Sequence, residues 1–207
     1  TKGEGILNFP AAEVGGFFCS DPSLDRPDLQ MHFTRVSGDR DIDNNSTLDD
    51  LPGVTSIAYL TRPESRGSVK ITSNDCAEPP LIDANYLATG NDRIALIAGV
   101  KRLRDIFASA PLATVIGQEL RPGVAVESDE DILAYIKKHG TTAFHPVGTC
   151  KMGNDEQAVV DDRLRVHGVS NLRVVDASIM PTLISGNTNA ATIMIAEKGA
   201  DLILGIK

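Results

Sequence analysis

Residues 143–153 read AFHPVGTCKMG and residues 172–192 read LRVVDASIMPTLISGNTNAAT, and these two stretches decide what the chain builds. The first places His145 between a helical segment that ends near Gly140 and a loop rich in Gly, Pro and Thr. An imidazole ordinarily titrates near neutral pH, so a histidine on a loop held by rigid elements is a reasonable general base. A structural histidine bonded to nearby backbone explains the same residue, and the residues alone leave both interpretations open.

The second stretch brings two amides, Asn187 and Asn189, into a Gly-containing turn just before a helix. Either asparagine can cap that helix. Capping accounts for one of them, whereas the positive end of the helix dipole also suits a phosphate or an electron-rich ring oxygen. The pattern therefore predicts a candidate site without a reaction.

The rest of the chain predicts an α+β fold with an antiparallel sheet flanked by helices. Alternating residues predict strands that follow one another without intervening helices, which favours antiparallel pairing. Helical spacing then predicts a helix around Ile94–Phe107, with Asn91 or Asp92 as its N-cap. The remaining predictions are strands at 29–36, 54–60, 68–72 and 172–175, helices at 128–140 and 191–204, an irregular segment at 1–28 and a surface loop at 37–53.

Composition excludes several classes of function. The chain has 207 residues, a formal net charge of -8 and a sequence pI near 4.9, which argues against a nucleic-acid or anionic-membrane surface. No apolar run approaches the roughly 20 residues that cross a bilayer. Three widely spaced cysteines fit a reducing compartment, so we expect a cytoplasmic location, with membrane association left open for a longer parent. The missing initiator Met suggests a piece of a longer protein.

Several long motifs occur in an order that resembles the C-terminal region of the glucose–methanol–choline oxidoreductases, a family of FAD-dependent enzymes. The chief one is the run from His145 to Gly153. The resemblance extends over nearly the whole chain. It includes RPESRGSV at 62–69, IDANYL at 82–87, VDDRLRVHG at 160–168, SGNTNA at 185–190 and EKGAD at 197–201.

The resemblance implies a choline dehydrogenase-like oxidation of an alcohol to an aldehyde or ketone, with hydride transfer to FAD. It gives His145 the role of the base that accepts the hydroxyl proton. Asn187, six residues after Pro181, would hold the alcohol oxygen, because an amide donates hydrogen bonds and is no base. Asp176-Ala177 would approach the flavin's linker, and Asn189-Ala190 the pyrimidine carbonyl of its ring.

The resemblance also implies a division into a substrate-binding domain at 1–142 and, at 143–207, a catalytic loop with a C-terminal strand and helix of the flavin domain. The family's N-terminal Rossmann unit, whose GxGxxG turn holds the pyrophosphate, is not in this sequence. We therefore expect the chain alone to bind FAD weakly and to be inactive. The expected partners are a small alcohol and the missing N-terminal half, and exposed residues at 172–175 would favour self-association.

Alternatives from other classes remain. The alternative is a non-catalytic recognition or assembly fragment beside a separate flavin-binding chain. A Cys150/His145 nucleophile pair lacks an orienting third group, and a His145/Cys150/His167 zinc set matches no standard spacing, so we predict no metal site. The acidic run at 39–50 is most simply a solvated loop, with calcium a distant alternative. The sequence does not identify the alcohol or the electron acceptor.

Overall fold

The computed structural model describes residue 10, residues 12–40 and residues 46–206. The chain divides into two units, which we call the sheet unit (Thr1–Leu60 with Arg93–Gly140) and the loop unit (Thr61–Asp92 with Thr141–Lys207). A boundary at residue 142 would place residues 61–92 with the sheet, whereas their contacts group them with the C-terminal residues. The assignment of a substrate side and a flavin side remains a prediction.

The sheet unit is built on three antiparallel strands, β1 (Val14–Phe18), β2 (Leu29–Thr34) and β5 (Thr55–Leu60), in the order β1-β2-β5. The second hairpin of this unit pairs β3 (Gly38–Arg40) with β4 (Ser46–Leu48). Side chains alternate between the two faces of a sheet, so Leu29 and Ala58 share one face across the β2–β5 register. The antiparallel sheet that the sequence predicts is confirmed.

Helix α1 (Gly90–Ala108) covers that face of the sheet. A Cβ added at Gly99 would lie 3.2 Å from the Ala58 side chain and 3.6 Å from Leu29, which shows how closely the helix backbone approaches the strands. Leu29 is fully buried there. The α+β class is therefore confirmed, with a helix flanking an antiparallel sheet.

Helix α2 (Asp129–His139) completes the sheet unit, and its start at Ser128 and end at Gly140 are as the sequence predicts. The segment that leads into it is held by Arg104, whose Nη2 lies 2.9 Å from Glu119 Oε1. Arg121 contacts Asp49 at 2.6 Å, and this guanidinium lowers the pKa of the Asp49 carboxyl to about 2. These two ion pairs hold the segment between α1 and α2, which contains little regular secondary structure.

The loop unit contains the hairpin of β6 (Ser68–Lys70) and β7 (Leu81–Asp83), helix α3 (Asn189–Leu204), and a long irregular segment between residues 141 and 188. Isolated backbone bridges link parts of this segment: Met152 with Val160, Val160 with Val166, and Arg165 with Arg173. The buried core lies under α3. Its members are Val160, Leu164, Ile179, Met180 and Ile195.

Several sequence predictions are wrong in detail. Strand β1 lies in the supposedly irregular segment 1–28, of which residues 1–9 and 11 fall outside the described residues. Hairpin β3–β4 occupies part of the predicted surface loop. Residues 172–175 form no strand; Arg173 makes one bridge, and the segment is then covered by α3, because Gly199 brings the helix backbone against Val175. The alternation of residue types along a short segment does not predict packing against a distant helix.

The N-cap prediction for α1 is also wrong. The helix begins at Gly90, and the Thr89 hydroxyl accepts from the Asp92 N–H at 3.3 Å. The buried Asp92 carboxylate instead accepts from the N–H groups of Glu64 and Ser65, each at 2.9 Å. Burial raises the pKa of Asp92, but these hydrogen bonds and that from the Ser65 hydroxyl outweigh it, so the net shift is downward. Asp92 ties a loop to the helix instead of capping it.

None of the helices within the described ranges is both long and apolar enough to span a bilayer.

Candidate active site

The imidazole of His145 lies between two side chains from the segment that precedes α3. Its Nε2 is 2.9 Å from Asn187 Nδ2, and its Nδ1 is 3.0 Å from Thr188 Oγ1. The ring is half-buried and Asn187 is exposed, so the Nε2 edge of the pair is open to a ligand. The structure thus brings together the two residues that the resemblance assigns to catalysis, and adds Thr188.

Backbone hydrogen bonds set the distance between these residues. The Cys150 N–H donates to Ser178 O at 3.0 Å, and the Met152 N–H donates to Ile179 O at 2.8 Å. These bonds join the loop after His145 to the segment that leads to Asn187. Gly148 adopts a φ of 88°, a left-handed conformation that favours glycine and lets the loop turn between the histidine and its anchors. The site is therefore built from irregular backbone held by a buried core.

The hydrogen-bonding types of the two neighbours restrict the protonation of His145. An amide nitrogen only donates, so Asn187 Nδ2 facing Nε2 requires Nε2 to accept. In the neutral ring the proton then lies on Nδ1, which donates to Thr188 Oγ1. Nε2 carries the lone pair, which accepts from the Asn187 amide in a contact that is exposed to solvent. This arrangement can take a proton from a hydroxyl group and hold the oxygen that is left.

The start of α3 supplies donors to the same region. Thr188 occupies the N-cap position and makes no side-chain capping bond, and Asn189 and Ala190 are exposed. The first N–H groups of a helix have no partner within it, and the dipole there favours negative charge. Uncapped donors of this kind fit the pyrimidine carbonyl of a flavin, so the residues present agree with the role that the resemblance gives to Asn189 and Ala190.

The other two predicted cofactor residues lie in a 3₁₀ turn, Ala177–Ile179, that packs on the core. Asp176 caps this turn, and its carboxylate accepts from the Ser178 N–H at 2.8 Å. Ala177 packs against the core cluster. Both residues therefore have structural roles here, and their contact with a flavin linker stays a prediction.

The competing chemistries find no support in the residues that are described. His167 Nε2 lies 3.0 Å from Gly153 O, and Cys150 is a free cysteine. Within the described ranges no cluster of three His, Cys, Asp or Glu side chains is arranged to hold a metal ion. The acidic run at 39–50 carries an ion pair between Asp49 and Arg121.

Sequence reasoning missed Thr188. The signal was present, because a threonine between two asparagines at a helix start is a typical N-cap residue, and its hydroxyl reaches His145 instead. Of the apolar patch predicted at 172–175, Leu172 is exposed, whereas Val174 and Val175 pack on the core cluster. Exposed apolar side chains also lie on α3: Ile193, Met194, Ile203 and Leu204. Self-association itself stays a prediction.

An imidazole whose Nε2 lies beside an amide donor, next to the start of a helix, is an arrangement that can take part in acid–base chemistry. The sequence model of the GMC oxidoreductase family matches residues 63–196. This match covers more than half of the chain, which therefore belongs to the GMC oxidoreductases, as the motifs around His145 indicate.

Similarity to individual proteins supports this family assignment. The chain is similar to an oxygen-dependent choline dehydrogenase from Proteus mirabilis strain HI4320, with 45% identity over 206 residues, covering 100% of this chain and 37% of the relative. Among solved structures it resembles pyridoxine 4-oxidase from Mesorbium loti, with a TM-score of 0.82 and 32% identity over 94% of this chain and 38% of the other. It also resembles a formate oxidase variant from Aspergillus oryzae RIB40 studied for FAD modification, with a TM-score of 0.77 and 27% identity, covering 88% and 32%.

The chain thus spans between about a third and two fifths of the length of these relatives. FAD is the cofactor of the GMC oxidoreductase family, to which the chain belongs.

Proposed function

We propose that this chain carries the acid–base site of an FAD-dependent oxidoreductase that oxidises an alcohol to an aldehyde or ketone. The observation that carries the proposal is the contact of His145 Nε2 with Asn187 Nδ2 at 2.9 Å, in a pair open to solvent on one side. Family membership supports the reaction class. The relatives named above act on different compounds, so the proposal stops at the class of alcohol substrates.

The geometry supports a defined proton transfer. A substrate hydroxyl that enters between the two side chains replaces their direct hydrogen bond, donating to His145 Nε2 and accepting from Asn187 Nδ2. The O–H bond breaks, its electron pair stays on oxygen, and the proton passes to Nε2. The amide of Asn187 then holds the oxygen and orients the carbinol carbon. Loss of hydride from that carbon converts the C–O bond into a carbonyl.

FAD, when bound, would supply the hydride acceptor. Asn189 and Ala190 would hold its ring through the donors at the start of α3, which also favour the negative charge that hydride transfer adds. The sequence contains no GxGxxG turn to hold a pyrophosphate, so we propose that FAD retention needs residues outside this chain. Catalysis is therefore tested in the flavin-loaded protein.

The test is His145→Gln in that protein, assayed with choline and with benzyl alcohol, using oxygen or phenazine methosulfate as acceptor. We expect kcat to fall by about 10² to 10⁴-fold, the usual contribution of a general base, while flavin absorbance is kept. The kinetic isotope effect of an α-deuterated substrate need not be larger in the variant than in the unmodified enzyme, because the base acts on the O–H bond and not on the C–H bond.

The matched control is His167→Gln in the same unit. His167 Nε2 contacts only a backbone carbonyl, that of Gly153, among the hydrogen bonds of the described residues. We expect its kcat to stay within about two-fold of the unmodified enzyme, since a distant surface site contributes little to the barrier. Equal activity of the His145 variant and this control on every alcohol tested would refute the proposed role of the site.

A further inference from the structure

Thr188 stands at the N-cap of α3 and does not cap it. A threonine in that position usually accepts a hydrogen bond from an N–H of the first turn. Here no such bond forms, and the hydroxyl instead lies 3.0 Å from His145 Nδ1. One side chain therefore leaves the helix donors uncovered and contacts the far side of the imidazole.

We propose that Thr188 is a positioning residue that fixes the tautomer of His145, an inference that rests on the proposed function of that histidine. Its hydroxyl oxygen accepts the Nδ1–H proton, so Nε2 is held as the unprotonated nitrogen on the side of the ring that faces the substrate. Thr188 itself does not touch the substrate. It acts through the ring, as the partner of the second nitrogen in a histidine base does in general.

The two neighbours of the ring define a single consistent pattern. Asn187 Nδ2 is a donor only, so it is satisfied when Nε2 accepts. The half-buried Nδ1–H then needs an acceptor, and Thr188 Oγ1 is in place. Without that oxygen, the Nδ1–H group would have no acceptor, and the Nδ1–H tautomer would be destabilised by the loss of this hydrogen bond. Moving the proton to Nε2 relieves Nδ1 and removes the base, and the Asn187 amide then has to turn its oxygen toward Nε2 to accept that proton.

The backbone of Thr188 is held independently of the imidazole. Its carbonyl accepts from the Thr192 N–H and from the Thr192 hydroxyl, each at 2.9 Å. These two bonds hold the Thr188 backbone in place, one helical turn before Thr192, and so fix the position of its Cβ. This contact also provides a matched control, because Thr192→Val deletes a hydroxyl that bonds to the same residue without touching His145.

The experiment measures the tautomer directly. The 207-residue chain is labelled with ¹⁵N-histidine, and the ring nitrogens of His145 are assigned by their disappearance in His145→Gln. We expect the unmodified chain at alkaline pH to show a protonated Nδ1 and an unprotonated Nε2. We expect Thr188→Val to shift the majority of the signal to the Nε2–H form, while Thr188→Ser and Thr192→Val keep the original pattern.

Either of two results would overturn the inference. One is an Nε2–H tautomer in the unmodified chain, a measurement that needs no variant and is independent of any folding defect. The other is an unchanged tautomer in a Thr188→Val chain that remains folded.

A kinetic readout separates this inference from the proposed function. In the longer, flavin-loaded protein we expect Thr188→Val to lower kcat by about 10-fold or more with little change in KM, and Thr188→Ser to restore it. If His145→Gln is inactive and Thr188→Val is fully active, only the role of Thr188 fails. If His145→Gln is fully active, the proposed function fails, whereas the tautomer measurement still decides what Thr188 does.

Discussion

Helices α2 and α3 begin with the same kind of residue and are stabilised in different ways. Ser128 caps α2, with its Oγ 3.1 Å from the Asp131 N–H, and this helix has three acidic side chains in its first turn and two lysines and a histidine in its last. These charges all favour the helix dipole. Thr188 precedes α3 without capping it, and the end turns of α3 carry no such charges. The ends of helix α2 are fixed by local bonds, whereas the start of α3 has no such bond from its N-cap side chain.

The difference bears on the role that we propose for the start of α3. A capping side chain occupies one of the four N–H groups at a helix start, so fewer donors remain for a ligand. Helix α3 leaves its first N–H groups uncovered and contributes Ile195 to the core of the loop unit, so packing replaces the stabilisation that a cap would give. Stability and function are therefore separated between the body of the helix and its first turn.

The largest expected effect comes from the one fully buried side chain of α2, Ile132. Ile132→Ala removes buried methyl groups and leaves a cavity, so we expect the free energy of unfolding to fall by about 2–5 kcal/mol. Urea denaturation followed by circular dichroism measures this loss. The smaller change Ile132→Val should cost about 0.5–1.5 kcal/mol. Equal midpoints for the two variants would show that local capping, and not burial, anchors this helix.

A smaller effect is expected where α3 packs most closely. A Cβ on Gly199 would lie 2.3 Å from Val175 Cγ1. Alanine favours a helix over glycine by about 1 kcal/mol, but overpacking a tight contact costs about 1–3 kcal/mol. We expect Gly199→Ala to be net destabilising in urea denaturation, against the direction that helix propensity alone predicts.

The control for Gly199 is the double-mutant cycle with Val175→Ala. Shortening Val175 removes the atoms that the new methyl group meets, so adding Gly199→Ala to that background should be neutral or stabilising. If the glycine substitution costs the same in both backgrounds, the close approach of α3 to Val175 is not what restricts this position. Gly90→Ala, where a Cβ meets nothing within 4 Å, shows the effect of the substitution without a clash.

The same contrast explains which parts of the molecule could be predicted from the sequence. Both ends of α2 are predicted correctly, because Ser128 and Gly140 act through bonds to residues a few positions away. The C-terminal end of α3 is also predicted, since Gly205 adopts a left-handed φ of 72°. Its start is two residues earlier than predicted, and the residue before it, Thr188, bonds through its hydroxyl to a residue 43 positions away and not to the first turn.

The site follows this rule as well. His145 and Asn187 were found through the family's motifs, since no local period links residues 42 positions apart. The strand predicted at 172–175 failed for a related reason: whether these residues pair or pack depends on Gly199 of α3, which local alternation does not contain. Long-range packing decides both the missed element and the geometry of the site.

The smallest expected effect tests the comparison itself. Ser128→Ala removes the oxygen that accepts from the Asp131 N–H, so we expect a loss of about 1 kcal/mol in the free energy of unfolding, measured in urea. Ser128→Thr keeps the acceptor and should recover most of that loss. Thr188→Val deletes a hydroxyl at the equivalent position of α3, where no capping bond exists, so it should cost less than Ser128→Ala. A larger cost at Thr188 would mean that its hydroxyl stabilises the fold as strongly as a cap does, and the division of roles between the two helix starts would then be wrong.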